Sequence, residues 1–464
     1  MLMLLVSNVN THAALPSLGA GYSTTEAQEE ALGQAWLSLL RGQGNLLTDP
    51  VVVSYLEDLT QSLAAVSELD KTQIHLLTLD DASFNGFAVP GRVMGLNSGL
   101  LLAAQSEGEL ASVIAHELAH LSQRHYAEQV AQQKQNTPYL IAAMLGSLLL
   151  ASQSPDAGVA ALTSTIASSA QASVTFTREN EKEADAIGIK TLEAAGYTGK
   201  DMARMFGRLA TQSRFQSEGL GFLRTHPLTN DRIAAANARA RASASSTNRL
   251  SNDYGFEVAK ARMVSKYTSS PSALITSLRA PLQNDNATAL DAYRLIYTLM
   301  DHDQLAAARS FFDKTAAQLN NTIYGILLNG ELALKEKNYT LAHEAAESIL
   351  DLIPSHYSAM RLAAESLEKL ERYDQAAAIL RELSEQRPKD AYVWYQLAEV
   401  HGLANNTAEL HLSRIHYFIV TGQPERALKQ IQFAKQSGTV SEHRLSLLKR
   451  DAEQLKQQIT EALG

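Results

Sequence analysis

The sequence predicts a mainly α-helical protein in two parts, an α+β domain with a small sheet followed by an all-α domain of helical repeats. Three observations predict this fold class. Apolar residues recur at helical spacing through most of the chain, two short β segments flank a Pro-Gly turn, and the C-terminal half repeats with a period of 34 residues. A chain of 464 residues is long enough for two or three domains with cores of their own.

The first residues of the chain have the pattern of a secretory signal. A short apolar run from Met1 to Val6 leads to small residues at Ala13 and Ala14, which suit cleavage by a signal peptidase. We expect residues 1–14 to be the remainder of a signal peptide whose basic region lies upstream. A frayed apolar N-terminus is the alternative.

Residues 24–67 have a helical pattern with an apolar stripe. The residues of the stripe are Val52, Leu56, Leu59 and Leu63.

Residues 73–79 predict a strand, and residues 83–97 predict a hairpin around Pro90-Gly91. Glycine and asparagine interruptions suit an edge strand beside a cleft, where an extended peptide substrate could bind as an added strand. A purely structural hairpin is the alternative.

The strongest motif lies on a helix that begins near Ser106. Ser106 and Glu109 form a capping-box pattern just before an apolar periodic run. His116 and His120 are four residues apart, so their imidazoles project from one face and can bind the same metal ion. Glu117 can reach a water on that ion. His-Glu-x-x-His on a helix is the pattern of zinc peptidases in which the glutamate is the general base.

A catalytic zinc site needs a third protein ligand and an open fourth position. The His-x-x-Gly-x-x-His extension of the metzincins is excluded, because Gln123 and Tyr126 occupy its diagnostic positions. His125 is near in sequence, but its offset of five residues turns it away from the two histidines. We expect it to be a polar surface residue or an indirect support of the site.

A carboxylate from a second helix is the better candidate for the third ligand. Residues 178–189 carry Glu181 and Asp185 one helical turn apart. Glu181 could bind the metal while Asp185 holds the ring N–H of a ligating histidine. A solvated acidic helix face is the alternative, and Glu179 and Glu183 are expected to be surface charges.

Residues 139–151 form the most apolar run of the chain, and a stretch of small residues follows at 157–173. The run is too short to span a bilayer, which takes about 20 apolar residues. We expect it to be part of a core. The alternative is a hairpin over the active site that touches a membrane or an apolar client.

Beyond a polar stretch that ends near residue 250, the chain repeats with a period of 34 residues. The residues that recur are Ala308, Ala342 and Ala376, the pair Tyr339 and Tyr373, and the pair Pro354 and Pro388. This period predicts tetratricopeptide (TPR) helix pairs, which stack into a concave surface that binds protein segments. Trp394 would open a further unit. Ala427 would lie in the second helix of a later unit, which makes the array irregular there.

The two motifs together resemble those of the gluzincin metallopeptidases that include HtpX and the CAAX prenyl endopeptidases. The residues that carry the resemblance are His116-Glu-Leu-Ala-His120 and Glu181-Lys-Glu-Ala-Asp185. With the repeats, the resemblance covers nearly the whole chain and extends to the soluble periplasmic branch with a C-terminal TPR domain. It implies a zincin-type α+β fold with one zinc ion on His116, His120 and Glu181 and with Glu117 as catalytic base.

His226-Pro227 with Arg232 is similar to the His-Pro loop of that family. His226 could donate a hydrogen bond to the oxyanion, or it could bind zinc in a resting enzyme and displace the water. Arg232 would orient acidic side chains near the site. An ordinary loop dipeptide before a capped helix is the alternative.

The sequence therefore predicts a periplasmic zinc endopeptidase at 15–250 joined to a TPR domain at 251–464. The resemblance implies misassembled outer-membrane proteins as substrates, the β-barrel assembly machinery as the partner of the repeats, and export to the periplasm of a Gram-negative bacterium. Peripheral membrane contact is open. A chaperone or scaffold with a latent or structural zinc site is the competing hypothesis, and a membrane-embedded prenyl-peptide protease is a weaker one.

Composition excludes several other classes. A net charge of −9 and a pI near 5.8 argue against nucleic acid as a main partner, because phosphate binding needs a basic surface. The chain contains no cysteine, which excludes disulfides, thiol catalysis and thiolate-bound zinc.

Overall fold

The computed structural model describes residues 26–43, 45–126, 128, 176–215, 222–242, 253–283, 287–436, 438 and 440–463. The expected signal residues 1–14, the apolar run 139–151 and the small-residue stretch 157–173 lie outside these residues. The described part is mainly helical with one small sheet, which confirms the predicted fold class.

The N-terminal part contains helices on both sides of the sheet in sequence. Its elements are α1 Glu26–Gln43, α2 Pro50–Ala65, β1 His75–Leu79, β2 Gly86–Val89, β3 Val93–Asn97, α3 Gly99–Ala103, α4 Glu107–Ser122, α5 Arg178–Ala194, α6 Gly199–Phe215, α7 Phe222–Thr225 and α8 Asn230–Ala242. Helix α9 Asp253–Tyr267 follows and leads to α10 Pro271–Arg279 and a short 3-10 turn at Pro281–Gln283.

Helix α4 is the centre of the N-terminal part, and its residues from Glu107 to His120 are buried. The Ser106 side chain accepts a hydrogen bond from the backbone N–H of Glu109, so the helix begins where the capping box predicted. One side of α4 packs into the main core with Leu110, Ile114 and Leu118. Each such aliphatic side chain contributes about 1.5–3 kcal/mol when fully buried, so this side fixes how the helix is rotated.

The helical region expected at 24–67 is two helices rather than one. Helix α1 ends at Gln43, and the chain then runs beside β1, where Leu46 forms an antiparallel bridge with Leu79. Asp49 caps α2 by accepting from the backbone N–H groups of Val51 and Val52. An apolar stripe does not reveal this break, because both helices turn apolar sides to the interior.

The sheet has the strand order β1-β3-β2, with β3 parallel to β1 and antiparallel to β2. Residues 90–92 form the expected turn, and Gly91 takes φ of +76°, a left-handed conformation that favours glycine. Strand β2 lies at an edge of this sheet and packs beside α4. The predicted hairpin is therefore confirmed, and its outer strand lies near the metal motif.

The C-terminal part is a stack of five helix pairs within the described residues. The first helices are α11 Ala289–Asp301, α13 Ile323–Lys335, α15 Tyr357–Lys369, α17 Ala391–Leu403 and α19 Pro424–Gln436. The second helices are α12 Leu305–Leu319, α14 Tyr339–Leu350, α16 Tyr373–Gln386, α18 Thr407–Val420 and α20 Glu442–Leu463. The first helices begin 34, 34, 34 and 33 residues apart, which confirms the predicted repeat.

The expected place of Ala427 in a second helix was wrong. Ala427 lies in α19, the first helix of the last pair, and the array is regular there. The series of alanines that marks the second helices ends at Ala376, because Leu410 stands one period later. Ala427 thus belongs to a different helix from the earlier alanines.

Helix α9 joins the two parts, because its opposite sides pack into different cores. Phe256 lies in the core of the N-terminal part, whereas Val258 lies in the core of the first repeats. The buried Arg262 pairs with Asp49 at 3.1 Å and with Glu331 at 2.7 Å, so it connects the start of α2 to α13. The division near residue 250 stays a prediction.

The repeats also contact α1 and α2 directly. Arg361 donates to the backbone oxygen of Thr48 at 2.8 Å, and Arg387 pairs with Glu57 at 2.6 Å. In the part of the chain that the structure describes, no helix combines the length and hydropathy required of a membrane span.

Candidate metal centre

Four buried side chains converge between α4, α5 and the residue that follows α7. They are His116, His120, Glu181 and His226. His116 Nε2 lies 3.0 Å from His120 Nε2 and 3.3 Å from His226 Nδ1. Glu181 Oε1 lies 2.9 Å from His226 Nδ1 and 3.4 Å from His120 Nε2. One donor atom from each residue lies within 4.8 Å of all the others.

The donor atoms fit a tetrahedral zinc ion. Zinc binds imidazole nitrogen and carboxylate oxygen at about 2.0–2.2 Å, and a tetrahedron of that size has edges of about 3.3 Å. The four contacts between donor atoms measured above run from 2.9 to 3.4 Å. The set is also chemically right, because three neutral imidazoles and a carboxylate suit a borderline cation such as zinc.

Helix α5 reaches the site because its start is capped and its middle is narrow. Thr177 and Asn180 form a reciprocal capping box that begins the helix one turn before Glu181. A methyl group at Gly188 would lie 3.2 Å from the backbone nitrogen of His116, so this glycine lets α5 approach α4 closely.

Asp185 and Arg232 hold the cluster from behind. Asp185 Oδ1 lies 3.0 Å from His116 Nδ1, the ring nitrogen that faces away from the cluster. Arg232 donates two hydrogen bonds to the Asp185 carboxylate at 2.7 and 2.8 Å and also pairs with Glu181. Its remaining contact, 3.0 Å to the backbone oxygen of Pro227, ties the loop of His226 to the same network.

Glu117 is fully buried beside the cluster. Neither carboxylate oxygen has a hydrogen-bond partner among the described residues, and His226 Nε2 lies 3.5 Å from Oε1. Burial raises the pKa of Glu117 above its usual range. A buried carboxylate without donors is costly in a folded protein, so this position points to a group that the carboxylate meets during function.

The pKa values of the cluster reflect opposing effects. Burial disfavours the charged form of His116, but the carboxylates of Asp185 and Glu181 outweigh burial and raise its pKa to about 9. Burial likewise opposes the charge of Glu181, yet the surrounding histidines, His226 first, hold its pKa far below the usual range. Burial lowers the pKa of His120. A metal cation here would replace the proton on His116, because ligands must be deprotonated.

The structure brings together all seven site residues predicted from the sequence. They are His116, Glu117, His120, Glu181, Asp185, His226 and Arg232. Sequence reasoning missed the aromatic walls: Phe176 stacks on His120 at 4.1 Å, and Phe222 stacks on His226 at 4.4 Å. No periodicity or motif marks either phenylalanine, since both lie at the ends of loops.

The expectations for His125 and Glu183 need correction. His125 is fully buried rather than a surface residue, with Nδ1 2.9 Å from His120 Nδ1. Glu183 is partly exposed and pairs with His125 Nε2 at 3.0 Å, so it is not a plain surface charge. Helix α4 ends at Ser122, and Arg124 adopts φ of +53°, which returns the chain toward the site. The helical offset therefore does not apply to His125.

Comparison with known proteins identifies two segments. Residues 51–240 match peptidase family M48, and residues 333–400 match the tetratricopeptide repeat.

Several relatives resemble the chain over different lengths. A Vibrio cholerae protein provisionally named a beta-barrel assembly-enhancing protease is 41% identical over 56% of this chain and 53% of its own length. The beta-barrel assembly-enhancing protease of Escherichia coli K12 is 30% identical over 90% of this chain and 86% of its own length. The match thus spans about half of the first relative and most of the second. The mitochondrial metalloendopeptidase OMA1 of Arabidopsis thaliana is 31% identical over 39% of this chain and 35% of its own length.

Among solved structures, a tetratricopeptide repeat protein from Parabacteroides merdae covers 53% of this chain and 98% of its own, with a TM-score of 0.30 and 13% identity. This likeness is too low to carry an argument.

Proposed function

The chain belongs to peptidase family M48 and, within it, to the beta-barrel assembly-enhancing proteases, and on this premise of a zinc metalloprotease we propose that it is an endopeptidase for misfolded or stalled envelope proteins. One observation carries the proposal: Glu117 lies buried and without a hydrogen-bond donor beside the cluster of His116, His120 and Glu181. The repeat array would add chaperone-like support by holding partners and clients.

In this proposal His116, His120 and Glu181 hold one zinc ion per chain. When bound, zinc supplies Lewis acidity, which activates water and polarises a peptide carbonyl. Glu117 accepts the proton of the attacking water and passes it to the leaving amine. Burial favours this role, because the raised pKa makes the Glu117 carboxylate a stronger base.

Asp185 and Arg232 act as positioning residues. Asp185 accepts from His116 Nδ1 and so leaves Nε2 of that ring free for the metal. Arg232 neutralises the two carboxylates that it contacts, Asp185 and Glu181, and keeps them at a fixed distance from the histidines.

His226 gives the resting protein a latent state in this proposal. Its Nδ1 occupies the fourth position of the donor cluster, where an active zinc peptidase needs room for water. Its Nε2 faces Glu117 at 3.5 Å. Cleavage would therefore require the loop of His226 to move, and in the open state the same ring could donate to the oxyanion.

The extended substrate would lie along β2. This strand is at an edge of the sheet and packs beside α4, so a peptide added to it passes the metal cluster. Backbone hydrogen bonds to an edge strand select extended chains with little regard to side chains, which suits misfolded proteins.

The name of the relatives supports outer-membrane proteins as clients and the β-barrel assembly machinery as the partner of the repeats. It also supports a periplasmic location in a Gram-negative bacterium. The apolar residues 139–151 leave room in the proposal for peripheral contact with a membrane.

Glu117→Gln tests the peptidase function. The variant keeps the shape of the side chain but cannot accept a proton, so cleavage of an unfolded outer-membrane protein should fall by about 10²–10⁴-fold. Zinc content, measured by mass spectrometry of the metal, should stay at one ion per chain. Glu179→Gln, an exposed carboxylate on α5, is the matched control and should cleave normally.

The competing function is a non-proteolytic chaperone or scaffold with a latent or structural zinc site. The donor set closed by His226 favours it, because four protein ligands are typical of structural zinc. In that case Glu117→Gln would retain the cellular role in outer-membrane assembly, and the wild-type protein would cleave nothing in either loop state.

A further inference from the structure

The far side of His120 carries a second hydrogen-bonded chain that the proposed mechanism does not use. His120 Nδ1 lies 2.9 Å from His125 Nδ1, and His125 Nε2 lies 3.0 Å from Glu183 Oε2. Both rings are buried, while Glu183 retains 28% of its side-chain exposure. The three side chains form a line that runs from the metal cluster to the surface, and we call it the Glu183–His125–His120 line.

Local structure keeps the two rings in register. The left-handed turn at Arg124 brings His125 back over the last turn of α4, so the rings of His120 and His125 meet edge to face at 5.0 Å. Phe176 stacks on the His120 ring at 4.1 Å and shields this side from water. A ring held by a neighbour, a stack and a helix has no other hydrogen-bond geometry within reach.

The line allows one arrangement of protons if His120 is to bind a metal. A metal on His120 Nε2 requires the proton of the neutral ring to sit on Nδ1. His120 Nδ1 then donates to His125 Nδ1, which must be an acceptor. His125 consequently carries its proton on Nε2, where the carboxylate of Glu183 accepts it. If the direction were reversed, both His125 Nε2 and the carboxylate would be acceptors in contact.

We propose, resting on the proposed function, that Glu183 and His125 are positioning residues that fix the tautomer and the orientation of His120 for zinc. The carboxylate of Glu183 decides which nitrogen of His125 carries the proton, and His125 passes this choice to His120. Zinc affinity therefore depends on a carboxylate that reaches no ligand directly.

The proposal gives α5 a complete role at the site. Glu181 is the ligand on this helix, Asp185 supports His116 directly, and Glu183 supports His120 through His125. Each of the two histidines of α4 then has its outer nitrogen held by a carboxylate of the same helix. Outer partners of this kind typically change metal affinity by about 10–100-fold.

The test compares zinc binding by the full chain and by two variants. His125→Phe keeps an aromatic ring but removes the acceptor, and Glu183→Ala removes the carboxylate at the accessible end of the line. We expect the zinc dissociation constant, measured by chelator competition, to rise about 10–100-fold in His125→Phe and several-fold in Glu183→Ala. Glu179→Ala, on an exposed face of the same helix, should bind zinc like the wild type.

A second readout follows the tautomer itself. ¹⁵N NMR of labelled histidine in the metal-free protein should place the His120 proton on Nδ1 in the wild type, and Glu183→Ala should give a mixture of tautomers. A merely structural role for Glu183 would not change these signals.

The outcomes separate this inference from the proposed function. If both variants bind zinc within twofold of the wild type, or if His120 carries its proton on Nε2, the line has no such role, although Glu117→Gln can still show that the chain is a zinc peptidase. If the wild type binds no zinc, both proposals fail. If His125→Phe does not fold, Glu183→Ala decides by the same criteria.

Discussion

His226 contacts the metal cluster with one ring nitrogen and faces the catalytic base with the other. Its Nδ1 lies 2.9 Å from Glu181 Oε1, and its Nε2 lies 3.5 Å from Glu117 Oε1. The ring stacks on Phe222 with an interplanar angle of 20°. An imidazole held in this way excludes water from both the metal and the base, so one side chain can stop the reaction at two points.

His226→Ala should raise the rate of peptide cleavage at least about tenfold, because it empties the fourth position that the imidazole otherwise fills most of the time. The measurement is kcat/KM on an unfolded outer-membrane protein, with His443→Ala, an exposed histidine of α20, as the matched control. A fall in rate would instead assign His226 to the oxyanion, and an unchanged rate would exclude both roles.

At the scale of elements, β2 is held in place by two glycines. A side chain at Gly91 would meet the backbone oxygen of Glu29 at 2.9 Å, and φ there is +76°. The ring of Phe87 covers Gly95, where a methyl group would lie 2.1 Å from it. Both glycines let the hairpin pack tightly against α1 and within itself, so the outer edge of β2 has a defined position relative to α4.

Ala88→Pro tests whether that edge binds substrate. Asn97 donates to the Asn85 oxygen across the hairpin, so by the antiparallel alternation the backbone N–H of Ala88 points away from β3. Proline should remove one hydrogen bond to an added strand and raise KM by about 5–10-fold with little change in kcat. The thermal midpoint should change little, which checks that the hairpin is intact, and an unchanged KM would place the substrate elsewhere.

The elements also show which predictions a sequence allows. His116, His120, Glu181 and Asp185 could be found because they lie within regular helices, where spacing determines direction. His125 could not, because its direction depends on the left-handed turn at Arg124. The break between α1 and α2 was hidden for a related reason: an extended segment that pairs with a strand has no periodicity of its own. The period of 34 predicted the repeats, and one leucine in place of an alanine was enough to misplace α19.

At the scale of the whole molecule, the two parts share a helix and a buried ion pair. Helix α9 contributes to both cores, and Arg262 lies between Asp49 of the N-terminal part and Glu331 of the repeats. The side chain of Arg262 is 3% exposed, and it lies over the ring of Tyr297 at 4.6 Å. The two parts are therefore expected to unfold together.

Arg262→Ala should destabilise the chain by about 3–5 kcal/mol, because it leaves Glu331 and Asp49 close together without a cation. Urea unfolding followed by circular dichroism measures this loss and should show two transitions in place of one. Arg239→Ala removes an exposed arginine of α8 and should change the free energy of unfolding by less than about 0.5 kcal/mol. One transition of wild-type stability would show that the pair does not couple the two parts.

His116 and His226 are 110 residues apart in the chain, yet their ring nitrogens lie 3.3 Å from each other. A cation shared by both would staple three distant segments, as a disulfide does in other proteins, in a chain that has no cysteine. Such a staple is indifferent to oxidants and thiols. Its strength would instead follow the supply of free zinc in the compartment, so scarcity of the metal would loosen the fold and silence the chemistry in the same event.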